Sequence, residues 1–264
     1  MAEISAKDVQ ALRQASGAGM MDAKKALVEN GGAFDEALQW LREKGLAASA
    51  KRADRANSEG AVAVSVTSTG AAIVELKCET DFVAKNEDFV NTVNELANLL
   101  AETGEGAIEE RKADVDNLNV MLKENIQLGR TAYFDSQPGR VVDSYLHLQS
   151  DRGINAVLVE IEGGTPQLAH DVAVHVAFAR PRFLTREEVP AEEVDQQRKT
   201  LEALSRNEGK PEGALPKIIE GRINGFYKDV ALLEQPYAKD EKQTIQQLIG
   251  GASITRFAQI EVGG

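Results

Sequence analysis

Three stretches of this chain hold residue types with chemistry to offer. The first, "GAGMMDAKKAL" at 17–27, brings together the glycines and lysines of a phosphate-binding loop. Its spacing is wrong for that work. Gly17 and Gly19 have no third glycine at the offset a pyrophosphate needs, Lys24 does not follow a glycine, and Lys25 stands where a Ser or Thr would meet Mg²⁺. No strand leads into it, so the expectation is an ordinary turn between helices. The second group is scattered: His147, His170, His175, Cys78 and the acidic pairs Glu109-Glu110 and Glu187-Glu188. His170 and His175 are off the i,i+4 spacing that would put both on one helical face, and no acidic motif completes a zinc site. They are expected on a polar surface or as satisfied core histidines. Cys78 shares the inward parity of Val74 and Leu76, which predicts a buried small hydrophobe, with no cationic partner on its side to make a thiolate. The acidic pairs are expected in solvent. No catalytic residue, cofactor site or metal ligand set is expected. The third stretch, "CETDFVAKNEDF" at 78–89, is different in kind, since it sets Asp81 and Phe82 side by side in a connection that ought to be polar.

The elements around that pair are bounded by composition. The chain has 264 residues, 42% of them hydrophobic, enough for a sizeable core in one large domain or two to three small ones. Aromatic residues are only 5% and the formal charge is −12, both against a base-stacking or general nucleic-acid surface and against an anionic membrane. Residues 1–60 carry nine Lys/Arg and nine Asp/Glu, so the acidic excess lies behind a neutral front. One cysteine excludes an internal disulfide and fits a reducing compartment. No apolar run reaches the ~20 residues that span a bilayer, and "MAEISAKDVQ" has no hydrophobic signal region. The expectation is a soluble cytoplasmic protein.

Along the chain, residues 5–45 predict three short helices. Ser5 and Asp8 form a capping-box start, "GAG" breaks the first helix, and Met20, Ala23 and Leu27 give an inward stripe that ends at "NGG". Phe34, Leu38 and Leu41 give a third, closed by Gly45. The Ala-rich 46–60 is expected as a linker, and 61–79 as a β-hairpin around Ser68-Thr69-Gly70. A helix from about Glu87 carries Phe89, Val93, Leu96 and Leu100 on one face. Residues 104–117 are expected as acidic loop, followed by a helix near 118–129 and a strand pair formed by "RTAYFD" and "GRVVDSYLHL".

A weak internal repeat links 71–97 to 155–179, each predicted as strand, turn and amphipathic helix. The second copy turns on Gly163-Gly164-Thr165-Pro166 and lacks the Asp-Phe pair, so the fold does not require that pair. Val194, Leu201 and Leu204, then Ile219, Ile223, Phe226 and Val230, predict a helical hairpin around "NEGKPEGALP". It is inserted into the second repeat, which closes with a helix over "DEKQTIQQLI" and the strand "SITRFAQIEV".

Alternation alone sets Phe82 in register with Val74, Leu76 and Cys78, inside a core, where large aromatics usually lie. A resemblance points the other way. "LRQASGAGMMDAKKALVENGG", "CETDFVAKNEDF", "HVAFARPRFLTREEVP" and "RFAQIEVG", in this order over nearly the whole chain, resemble the bacterial translation elongation factor Ts family, the nucleotide-exchange factors of elongation factor Tu. The resemblance implies an α+β protein. It comprises an N-terminal three-helix ubiquitin-associated-like domain with linker (1–54), a core of two repeated strand/helix subdomains with antiparallel sheets (55–140, then 141–179 with 229–264), and an inserted coiled-coil hairpin for dimerisation (180–228). It implies that Thr80, Asp81, Phe82 and Val83 enter the partner near its Mg²⁺ and that the turn at Gly17, Gly19, Met20 and Met21 contacts the partner, with Met20 itself read as core by its spacing. The implied partners are elongation factor Tu and a second copy of the chain, with no direct nucleic acid, no membrane and no cofactor. Many members of that family continue with a further helical module that also grips the partner, whereas this chain ends at "EVGG". The alternatives are a non-catalytic adaptor that recruits a partner through its front domain and, more remotely, an enzyme, which would need a polar pocket with perturbed carboxylates.

Overall fold

A computed structural model describes residues 4–264. The absence of a signal region in part concerns residues 1–3, which lie outside the described residues. Contacts group the chain into two units, one of residues 1–134, 148–154 and 260–264, the other of 135–147 and 155–259.

The first unit begins with α1 (Ala6–Ser16), α2 (Met20–Glu29) and α3 (Phe34–Ala50). Ser5 and Asp8 cap α1 reciprocally, the Asp8 N–H donating to Ser5 Oγ at 3.2 Å and the Ser5 N–H to Asp8 Oδ2 at 3.1 Å. Val9, Leu12, Ala23, Ala26, Leu27, Ala37 and Leu41 make the small core of this bundle. Contrary to the expected stop, α3 runs through Gly45 for five more residues. A Cβ on Gly45 would meet Val120 Cγ1 at 2.5 Å, so glycine there serves helix packing and not helix termination.

The hairpin β1 (Glu59–Val66) and β2 (Gly70–Cys78) pairs antiparallel from Glu59↔Cys78 to Val66↔Ala71. After it come α4 (Asp81–Ala84), α5 (Glu87–Thr103), α6 (Ala107–Glu110), α7 (Lys112–Leu122) and β3 (Gln127–Asp135). Phe89, Val93, Leu96, Ala97 and Leu100 of α5 bury against Ala72, Val74, Leu76 and Cys78 of β2. The segment expected as acidic loop is mostly helix. Val115, Leu118 and Leu122 keep a helical stripe among the acids and pack on the same core, and α7 ends early because Lys123 turns left-handed (φ 61°). The expected pairing of β3 with the next strand does not form, since the sheet order is β1-β2-β3.

The second sheet has the order β4-β5-β8, from β4 (Arg140–Gln149), β5 (Arg152–Glu162) and β8 (Ser253–Glu261). Helix α8 (Pro166–Ala179) lays Ala169, Val172, Ala173 and Val176 on Val157, Val159 and Ile161 of β5. Helices α9 (Ala191–Asn207) and α10 (Leu215–Val230) form the inserted hairpin, closed by Leu201 against Leu215, Ile219, Ile223 and Tyr227. Leu204, expected in that seam, is exposed. "DEKQTIQQLI" is not one helix. Strand β7 (Asp240–Thr244) pairs with β6 (Pro236–Tyr237), and α11 (Ile245–Ile249) begins only after Thr244, which caps it. His175 is a satisfied core histidine. Its Nε2 bonds Gln235 Oε1 at 2.9 Å and its Nδ1 accepts from the Ala238 N–H at 3.2 Å, and burial pushes its pKa below the usual value. Among the described residues, no helix is long and apolar enough to cross a membrane.

The two strand-turn-helix copies share a device that hydropathy conceals. Glu75 in "VEL" of β2 and Glu160 in "VEI" of β5 are buried in the second half of the central strand of their sheets. Each receives a two-pronged arginine from the last strand. Arg130 donates to Glu75 from Nε (3.0 Å) and Nη2 (3.1 Å). Arg256 donates to Glu160 from Nε (3.1 Å) and Nη2 (2.8 Å), joined by Arg140 Nη1 (3.0 Å) and Thr255 Oγ1 (2.5 Å). Burial, the largest single cause, pushes both carboxyls up, but the arginine hydrogen bonds and charge, with the Thr255 hydroxyl at Glu160, together outweigh it and hold both below the usual carboxylate range. A carboxyl lowered in the fold stabilises above its unfolded pKa of about 4.3, and that stability drains away as pH falls through the folded value. Thermal midpoints should therefore change little on this account between pH 7 and 5 and fall below about pH 4. Arg256→Met leaves Glu160 with Arg140 and Thr255 as donors and should destabilise by less than the roughly 3–5 kcal/mol of a fully orphaned buried charge, measured by urea unfolding at pH 7.

Candidate partner-binding site

The turn after β2 is built one hydrogen bond at a time. Strand pairing ends at Cys78, whose thiol donates to the Thr80 carbonyl at 3.2 Å. Burial, reinforced by the charge of Glu124, pushes that thiol up to about 12, so the proton stays on sulfur at neutral pH. Thr80 is extended (φ −128°, ψ 154°) and its Oγ1 accepts from the Val83 N–H at 3.4 Å, which starts the single helical turn α4. Period two gives way to period 3.6 at this residue, and the parity that would have buried Phe82 is lost. Phe82 is 82% exposed, the most exposed of the large hydrophobic side chains described. Its neighbours face inward: Ala84 is buried and Val83 packs on the core of the first sheet. Lys85 Nζ donates to Asp81 Oδ2 at 2.6 Å, and this bond holds the Asp81 carboxyl below its ordinary pKa. Asn86 Oδ1 caps α5 by accepting from the Asp88 and Phe89 N–H groups, and Phe89 is fully buried.

Beneath the turn lies a polar clamp that sequence inspection missed. Glu124, in the loop between α7 and β3, accepts from the Glu79 N–H (2.9 Å) and the Thr80 N–H (3.0 Å) on Oε2 and from the Thr80 hydroxyl (2.5 Å) on Oε1. The Asn125 N–H donates to Glu79 Oε1 at 2.7 Å, and Asn125 Nδ2 reaches the carbonyls of Ala53 (3.1 Å) and Arg55 (2.6 Å). Asn119 closes the same loop on Ile126, donating to its carbonyl (2.7 Å) and accepting from its N–H (2.9 Å). No short motif announces residues so far apart in sequence, and only the register of β3 on β2 brings them together.

On the front bundle, Gly17 is the left-handed C-cap of α1 (φ 65°), and a Cβ there would approach Met121 Cγ to 3.1 Å. Gly19 is the N-cap of α2. Met20 is not core as its spacing suggested. It is 49% exposed and Met21 77%, because the inward face of α2 is made by Ala23, Ala26 and Leu27, and Met20 sits at its rim. Asp22 is paired with Lys44 at 3.0 Å. Met20-Met21 and Phe82 are thus exposed, adaptable or aromatic apolar side chains on rigid local supports, and Phe178 near the end of α8 is a further exposed aromatic (75%).

A family model described as Elongation factor TS matches residues 79–264, beginning at this turn. Curated proteins named Elongation factor Ts match over the whole chain. The one from Nocardioides sp. is 45% identical over 277 residues and the one from Leifsonia xyli subsp. xyli 44% over 279, each covering 100% of both chains. The one from Mycolicibacterium smegmatis is 43% identical over 284 residues, covering 100% of this chain and 99% of that protein. The chain belongs to the elongation factor Ts family. The two phenylalanines of the "CETDFVAKNEDF" stretch can now be told apart by measurement. Phe82→Ala should leave stability within about 0.5 kcal/mol, as for an exposed residue, while Phe89→Ala should cost about 3–5 kcal/mol, both by urea unfolding.

Proposed function

We infer that this chain is a guanine-nucleotide exchange factor of translation elongation, binding elongation factor Tu in its GDP form and promoting GDP release by displacing Mg²⁺ through Thr80, Asp81, Phe82 and Val83. The single observation that carries the residue assignment is Phe82, a bare aromatic ring held out to solvent by a capped, hydrogen-bonded turn. Nothing in the fold needs it there, for the second repeat makes the same strand-to-helix passage with Gly163-Gly164-Thr165-Pro166.

Exchange of this kind requires no covalent step. The partner holds its nucleotide through phosphate contacts and a bridging Mg²⁺. A factor that binds the empty partner more tightly than the loaded one weakens nucleotide binding by the same factor, because the two equilibria are linked. A ring pressed into an apolar slot suits this work, since packed interiors switch between discrete arrangements and do not deform smoothly. Asp81, paired with Lys85, holds the turn's register or contacts a polar group of the partner. Gly17, Gly19, Met20 and Met21 supply a second contact, the glycines by shaping the turn and the methionines by covering partner surface. The hairpin of α9 and α10 is assigned to self-association, on the strength of exposed Leu204 beside the seam in which Leu201 packs on Leu215, Ile219 and Ile223.

Burying a Phe side chain is worth about 1.5–3 kcal/mol, which is roughly 10- to 150-fold. Release of a fluorescent GDP from elongation factor Tu should accelerate with this protein, and Phe82→Ala should lose roughly that factor while still binding. Unchanged release on adding the wild-type chain, with binding intact, would reduce it to an adaptor. For the hairpin, sedimentation equilibrium should show a concentration-dependent dimer that Leu204→Glu weakens, and a monomer at all concentrations would remove that assignment.

A further inference from the structure

We propose that Glu124 is a positioning residue for exchange: its carboxylate holds the base of the Thr80–Val83 turn so that Phe82 is presented before the partner arrives. This rests on the exchange reading above and extends it to a residue distant in sequence from the turn. Both carboxylate oxygens are used, one on two successive backbone N–H groups, Glu79 and Thr80, and the other on the Thr80 hydroxyl. Thr80 is the residue at which the chain changes from strand to helix. Its hydroxyl gives its proton to Glu124 and accepts from the Val83 N–H, so one carboxylate orients the cap of the turn that carries Phe82. Hydrogen bonds to an ionised acceptor are the strong kind.

The protein contains its own control. Thr165 stands in the second repeat where Thr80 stands in the first, five residues after the buried glutamate, and it too caps a helix, accepting from the Leu168 N–H at 3.2 Å. Six residues before Arg130 is Glu124; six residues before Arg256 is Gly250. The copy that has no aromatic in its turn has a glycine at the offset of Glu124, and its sheet and helix form nonetheless. Glu124 is therefore not a requirement of the strand-turn-helix unit. It accompanies the exposed ring.

The experiment compares wild type, Glu124→Ala, Glu124→Gln and Phe82→Ala as full chains. It reads GDP release from elongation factor Tu as a function of factor concentration, the thermal midpoint, and amide hydrogen exchange at Glu79 and Thr80. A displaced presenting group costs rate far more than encounter, by about ten-fold or more for misplacement on the ångström scale. Glu124→Ala should lower the maximal release rate at least about ten-fold with the half-saturating concentration moved less than about three-fold. Its Glu79 and Thr80 amides should exchange faster, and its midpoint should stay near wild type. Glu124→Gln, which keeps one acceptor oxygen, should fall between. Wild-type rates in Glu124→Ala overturn the proposal, as does a loss of rate that simply tracks a lowered midpoint in both variants. If wild type itself fails to accelerate release, the exchange reading falls and takes this role with it; if Phe82→Ala is impaired while Glu124→Ala is not, only the role of Glu124 falls.

Discussion

A carboxylate buried within a central strand is the constraint from which most of the first unit follows. Glu75 sits where only apolar side chains would be comfortable, and an unbalanced charge there would be costly. Arg130 balances it with a two-pronged contact, and its own backbone N–H adds a third bond to the same carboxylate at 3.0 Å. A planar fork tolerates little sliding, so the pair sets where β3 lies along β2. Moving toward the end of β2 then means moving back along the chain before β3, from Arg130 to Asn125 and Glu124, which meet Glu79 and Thr80. One ion pair thus brings the clamp to the turn.

The second unit repeats the ion pair without the clamp's two glutamates. Glu160 and Arg256 occupy the same places in β5 and β8, with Arg140 and Thr255 adding two more donors. Where the first copy has Glu79 and Glu124, the second has Gly164 and Gly250. The comparison separates what the strand-turn-helix unit needs for folding from what one copy adds. The buried glutamate and its arginine belong to the first category, and the outward ring with its supporting carboxylate to the second.

The support also extends toward the front bundle. Asn125 binds the carbonyls of Ala53 and Arg55, and Arg52 Nη2 donates to the Asn119 carbonyl at 2.8 Å. The loop between α7 and β3 therefore fastens the segment leaving α3 and the turn bearing Phe82 with neighbouring residues. Gly45 against Val120 and Gly17 against Met121 bring the bundle itself onto α7. Both stretches assigned to the partner, Met20-Met21 and Phe82, are thus tied to one short helix and the loop that follows it.

Much of this was legible in the residues, for local reasons. The Ser5/Asp8 cap, the alternation of β1 and β2, and the Phe89–Leu100 stripe of α5 are each specified within a few residues, and the order of motifs was sufficient to name the family. Other features depended on partners distant in the chain. Gly45 resembled a helix stop because its reason, Val120, lies on another helix. Met20 had the spacing of a core residue, and only the way Ala23, Ala26 and Leu27 bury against the other two helices set it at the rim. β3 and β4 are neighbours in sequence but belong to different sheets, because β3 pairs with β2 and β4 with β5. The outward ring required both kinds of information. Sequence supplied a phenylalanine beside an aspartate, and the tertiary register of β3 on β2 brought Glu124 under Thr80, where capping replaced strand parity and turned the side chain to solvent.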